Sequence, residues 1–174
     1  MNCLLTRSLT LGFLWLVILA FVTNAQTTRE KSVLLTGEEA KKLAAQCSRL
    51  SPSDFTHTWI PSQKQINTME VNLGGISRLK AKACCIGGER IENAEQWYLQ
   101  YAALVWKGRK IIYISAVSTE KPLGPCFDKD GIIFDEFCEY WKQRASIVCD
   151  GGTNWGVIYN VASGKFSNLA VNGI

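Results

Sequence analysis

His57 is the only histidine in the chain, so any nucleophile–base–orienter arrangement has to pass through it. Two carboxylates are the natural partners. Glu70 borders an apolar stripe, where partial burial would raise its pKa or pair it with a base. Asp150 opens a turn, Asp150-Gly151-Gly152. A small hydrolase using Glu70 or Asp150 with His57 is therefore one reading. Against it, the sequence has no Gly-x-Ser-x-Gly elbow, and neither glycine pair, Gly87-Gly88 nor Gly151-Gly152, has the spacing of a phosphate loop.

Metal chemistry fares no better. Zinc sites are built from Cys-x-x-Cys or paired histidines, and neither occurs. Asp128-Lys129-Asp130-Gly131, with Asp135 and Glu136, offers oxygen ligands, but its glycine is not at the sixth position of a calcium loop. No metal and no cofactor are expected.

The cysteines carry a clearer signal. Seven are present, and the first, Cys3, lies in a leader. Residues 1–25 combine one charge, Arg7, an apolar run from Leu9 to Val22, and small residues before a cleavage point after Ala25, which is the order of a secretory signal peptide. The run is shorter than the roughly 20 residues of a spanning helix, so no stable membrane anchor is expected after cleavage. Export places the remaining cysteines, Cys47, Cys84, Cys85, Cys126, Cys138 and Cys149, in an oxidising compartment, secreted or periplasmic, as disulfides. Six cysteines allow 15 pairings. The loop between Cys126 and Cys138 makes that pair the first choice. Cys47, on a buried helical stripe, is then expected to pair with Cys84 or Cys85, and Cys149 to take the remaining one.

A third group is aromatic and basic. Tyr98, Trp106 and Tyr113 share one face of an expected hairpin, with Lys107 and Arg109 at its turn. Rings on an open sheet face are rigid contact area for a protein or glycan partner, with the cations on the polar rim. The formal charge of +4, from 19 basic and 15 acidic residues, is too small and dispersed for a nucleic-acid ligand.

The elements that must position these groups follow from periodicity. Residues 26–35 are polar and read as a flexible segment. Thr36-Gly37-Glu38-Glu39 is a capping box, with Ala40, Leu43, Ala44 and Cys47 on one helical face running up to Ser51-Pro52. A second helix starts at Pro61-Ser62, with Ser62 and Gln65 as capping pair and Ile66, Met69, Leu73, Ile76 and Leu79 as its stripe. Gly74-Gly75 is its weak point. Alternation from Gln96 to Trp106, then Ile111 to Ala116, predicts a hairpin around Lys107-Gly108 that pairs Trp106 with Arg109 and Tyr101 with Ile114. Strands at Ser146–Cys149, Trp155–Tyr159 and Phe166–Val171 complete an antiparallel meander of about five strands, interrupted by an insertion at 118–144. The fold class is α+β: N-terminal helices packed on the sheet of a single, disulfide-stapled domain, residues 36–174.

Several of these segments carry a likeness. Trp59-Ile60-Pro61 at a helix start, Asp150-Gly151-Gly152 followed by Trp155-Gly156-Val157, and Asn172-Gly173 near the C-terminus resemble a family of small secreted bacterial proteins of unknown function. The resemblance spans about residues 59–173 and implies secretion, but no activity, ligand or catalytic residue. Helix-then-meander order also suits a cystatin-like shape. The glutamine–x–valine–x–glycine loop of cystatins is absent, since the chain reads Gln100-Tyr101-Ala102-Ala103-Leu104. The leading reading is a secreted, non-enzymatic binding or inhibitor-like module. The hydrolase and a structural envelope component stand beside it.

Overall fold

The computed structural model describes residues 30–82, 90–119, 140–149 and 154–172. The signal peptide, Cys84, Cys85, Cys126, Cys138, Asp128 to Glu136, Asp150 and most of the 118–144 insertion lie outside the described residues, and with them the Cys126–Cys138 pairing.

Helices and strands combine in a mixed fold around one six-stranded sheet. The strands are β1 (Ser32–Leu35), β2 (His57–Thr58), β3 (Tyr98–Trp106), β4 (Arg109–Ser118), β5 (Trp155–Asn160) and β6 (Lys165–Val171). Their order is β1-β3-β4-β5-β6, with β2 also pairing β3. The hairpin has the expected register, Trp106 opposite Arg109 and Tyr101 opposite Ile114. Lys107 and Gly108 both take positive φ, 49° and 71°, as a two-residue turn of matching twist requires.

Three expectations are corrected. Ser32–Leu35 is a strand rather than a loose segment, and it runs parallel to β3, so the sheet is not a pure antiparallel meander. Its apolar Val33, Leu34 and Leu35 gain burial on β3 that the polar neighbours at 26–31 concealed in the sequence. Residues 145–149 form no strand. Cys47 pairs with Cys149, with 5.0 Å between the Cα atoms, and not with Cys84 or Cys85.

Helix α1 (Gly37–Ala44) explains that last difference. It ends at Ala44, well short of Ser51-Pro52, where Ser51 Oγ donates to the Ala44 carbonyl at 2.7 Å. Cys47 therefore lies beyond the helix and is exposed, facing residue 149 rather than the core. The expected capping box does not form either. Gly37 enters the helix at φ +56°, and the Glu39 carboxylate goes instead to Lys42 Nζ at 2.7 Å and to the Ala145 amide at 2.8 Å. These donors hold the Glu39 pKa below its ordinary value of 4.5, Lys42 first and the Ala145 amide second.

Helix α2 (Gln63–Val71) starts where expected but ends before the Leu73, Ile76 and Leu79 part of its stripe. Ser62 and Gln65 form a full capping box. The chain then tightens into a 3-10 helix, Leu73–Arg78, over the Gly74-Gly75 pair. Ile66, Met69, Leu73 and Ile76 are all buried against Leu99, Tyr101, Ile112 and Ile114 on one face of the sheet. Each such side chain contributes about 1.5–3 kcal/mol by leaving water. On the opposite face, α1 buries Ala40, Leu43 and Ala44 against Ala102, Leu104, Ile111 and Tyr113.

Strand β6 contains an irregularity that matters below. Gly156 opposes Ala170, but Ile158 opposes Ser167, so β6 carries one extra residue. Without it, Phe166 and Leu169 would point to opposite faces, because side chains alternate along a strand. With it, Phe166, Leu169 and Val171 all reach the α2-side core. Asn168 absorbs the change at φ 53°, a conformation that asparagine tolerates better than most residues.

Candidate functional site

The α1 face divides into three parts. At one end, Gln100 acts as a clamp. Its amide nitrogen donates to the Trp141 and Arg144 carbonyls, each at 2.6 Å, and its oxygen accepts from the Ser146 amide at 2.8 Å. Gln46 holds the Ser146 carbonyl from the other side at 3.1 Å. This seats residues 140–149 over Tyr98, whose ring meets Trp141 edge-on at 5.1 Å while Lys31 Nζ lies 5.0 Å from its centre.

In the middle, Arg49 is buried and donates three ways: to Tyr113 Oη at 3.0 Å, Asn172 Oδ1 at 2.5 Å and Ser115 Oγ at 2.6 Å. Gly156 makes room for it. A Cβ there would sit 2.5 Å from Tyr113 Oη and 2.9 Å from Arg49 Nε. Burial pushes the Tyr113 phenol above its ordinary pKa, although the Arg49 guanidinium pulls it the other way.

At the hairpin end the described residues leave the face open. Two adjoining hollows of about 220 and 370 Å³ share Trp106, Ile158 and Asn168, and together form a trough. The larger lies in the lower part of the size range of ligand sites. Ile111 of β4 and Ile158 of β5 supply apolar floor; Ser167 and Asn168 come from the irregular stretch of β6. Leu50, 71% exposed, and Lys82 stand on one side, Lys107 and Arg109 on the other. Trp106 is half-buried and pinned: its Nε1 donates to Asp54 Oδ1 at 2.5 Å, and Lys107 Nζ lies 4.4 Å from its ring centre.

The expected binding residues thus divide. Trp106, Lys107 and Arg109 line the trough. Tyr98 and Tyr113 do not: the first is covered by Trp141 and Lys31, the second is 1% exposed beneath Arg49. Sequence reasoning missed Asn168, Ile158 and Lys82. The uneven spacing of Phe166, Leu169 and Val171 signals an irregular residue between them, and Ile158 falls on the Tyr113 face once β5 pairs with β4. Nothing in the sequence marks Lys82.

The catalytic candidates are not brought together. His57 is exposed in β2, with Nδ1 3.2 Å from Thr56 Oγ1 and, among the described residues, no carboxylate within ion-pair distance. Glu70 is half-buried, where its Oε1 accepts from Ser32 Oγ at 2.6 Å and Tyr101 Oη at 3.0 Å. Those bonds tie α2 to β1 and β3. Asp150 lies outside the described residues. Among the described residues, no group of three His, Cys, Asp or Glu side chains is placed to hold a metal ion, and no helix is long and apolar enough to cross a membrane.

Compared with known proteins, the chain matches no family profile, no curated protein and no solved structure.

Proposed function

We propose that this chain is an exported, non-enzymatic binding module that holds a protein or glycan partner in the trough at Trp106. The observation that carries the reading is the trough itself. An aromatic ring fixed by Asp54 and Lys107 stands beside an apolar floor, with Arg109 on the rim. Fixed rings lose little freedom on binding, which is why they dominate contact surfaces. The Cys47–Cys149 bond supports the exported setting, since such bonds persist in oxidising compartments.

The test is a screen of the oxidised chain from residue 26 onward against arrays of extracellular proteins and glycans. Each hit is then measured with Trp106→Ala and Arg109→Glu variants whose melting curves show a folded protein. A genuine partner should bind about tenfold or more weakly to both. Partners that bind both variants as well as the parent chain would overturn the reading.

A further inference from the structure

We infer that the trough takes an anionic saccharide, an oligomer bearing carboxylate or sulfate groups; this rests on the binding-module reading above. Charge is the first argument. Lys82, Lys107 and Arg109 are exposed around the trough, and among the described residues none has a carboxylate within ion-pair distance. Among the described residues, those lining the two hollows include no acid. Asp54 is the nearby carboxylate, and it is engaged with the indole nitrogen of Trp106. Three cations around a partly enclosed hollow attract anions and repel cations.

The hydrogen-bonding capacity of the floor is the second argument, and it separates a saccharide from a peptide. Ile111 and Ile158 lie on strands paired on both sides: Ile111 with Leu104 and Asn160, Ile158 with Tyr113 and Ser167. Their main-chain groups are committed to the sheet, so an extended peptide cannot add as a strand over this floor; at the β6 edge beside it, the Leu169 carbonyl already accepts from the Lys82 amide at 2.8 Å. Recognition falls to side chains. Asn160 and Asn168 contribute amides and Ser167 a hydroxyl. Asn160 Oδ1 accepts from the Ser163 amide at 3.0 Å, which leaves its NH2 group as the donor toward a ligand. Amides and a hydroxyl beside an indole and isoleucines match a sugar ring, which has polar edges and an apolar face. The three cations then match its acidic substituents.

The left-handed Asn168 supports the same assignment. The extra residue in β6 leaves Ser167 and Asn168 side by side on the trough face, and the Asn168 side chain lines both hollows.

The experiment measures binding of the oxidised chain to a galacturonate hexamer and to a sulfated galactan hexamer. Each is paired with its uncharged parent, the methyl ester and the unsulfated galactan. Poly-glutamate of equal charge is the peptide comparator. At least one acidic oligomer should bind at least about tenfold more tightly than its uncharged parent and than poly-glutamate. Lys107→Asn combined with Arg109→Gln should erase that difference; asparagine is chosen because residue 107 takes positive φ. Binding of neither acidic oligomer, equal binding of the uncharged parents, or equal binding of poly-glutamate would overturn the inference. In those cases a protein or neutral glycan that still depends on Trp106 would leave the module reading standing. Acidic binding that ignores both the double variant and Trp106→Ala would remove both.

Discussion

The two faces of the sheet are held by different forces. On the α2 side, Ile66, Met69, Leu73 and Ile76 meet the strands in an apolar layer that is finished edge-on by Trp97 against Trp155 at 5.9 Å. On the α1 side lie the buried polar residues of the described chain: Gln46, Arg49, Gln100, Ser115 and Asn172. The difference follows from what each face has to cover it. Helix α2 arrives with its interior backbone hydrogen bonds satisfied and brings mainly apolar surface, with Glu70 as a polar tie to β1 and β3. Residues 45–51 and 140–149 have little regular structure, so their peptide groups need partners from elsewhere. Gln46 and Gln100 supply these for 140–149, and the Cys47–Cys149 bond fastens both stretches. Among the described residues this irregular cover stops where its clamps stop, short of the trough at the hairpin end.

The largest test of this contrast is Cys47→Ser with Cys149→Ser. The bond closes a separation of 102 residues. Its loss should cost about 4–5 kcal/mol by loop-closure entropy, less any strain relieved. In hydrogen exchange, the amides of residues 140–149 should open first while those facing α2 stay protected. Equal loss of protection on both sides would show that the faces are not separable. Next comes Met69→Ala on the apolar side, which should cost about 3 kcal/mol in chemical denaturation through lost burial and a residual cavity. It should leave the exchange of residues 140–149 unchanged relative to global unfolding.

Gly156→Ala sharpens the comparison from the polar side. Its new methyl meets Tyr113 Oη and Arg49 Nε, so a cost of about 2 kcal/mol is expected, with Tyr113 becoming more accessible to chemical modification. An alanine variant as stable as the parent would mean that Arg49 can leave its site at little cost. The smallest effect is a pH dependence. Glu39 is held below its ordinary pKa of 4.5 in the folded chain, so its contribution is present above that value and disappears as pH falls through the lower, folded value. Melting temperatures should therefore decline less steeply below pH 4.5 in Glu39→Gln than in the parent.

How far the sequence reveals this arrangement depends on how local each feature is. The Ser62–Gln65 cap, the α2 stripe and the Lys107-Gly108 turn are set by residues within a few positions of one another, and all can be read directly. The capping box at Thr36 looks just as local, yet Ala145, 106 positions away, takes the Glu39 carboxylate. Strand β1 exists because β3 lies beside it; its own four residues are too few to announce it. At the trough, Trp106, Lys107 and Arg109 are legible because one hairpin places all three. Asn168 and Lys82 join them only through the packing of the rest of the chain.

The span closed by the disulfide has a consequence for the order of assembly. The β3–β4 hairpin joins neighbours across two residues, whereas Cys47 waits for a partner 102 positions later. Contacts between near neighbours form first, and long closures come late. On the export route proposed above, N-terminus first, Cys84 and Cys85 emerge before Cys149 and are the earlier partners open to the Cys47 thiol. The native bond is then expected to arise by thiol–disulfide exchange rather than by first encounter. Rapid alkylation during oxidative refolding should trap Cys47 bonded to Cys84 or Cys85 at early times and to Cys149 at late ones. A compartment without an isomerase would slow the maturation of this protein while leaving its final stability unchanged.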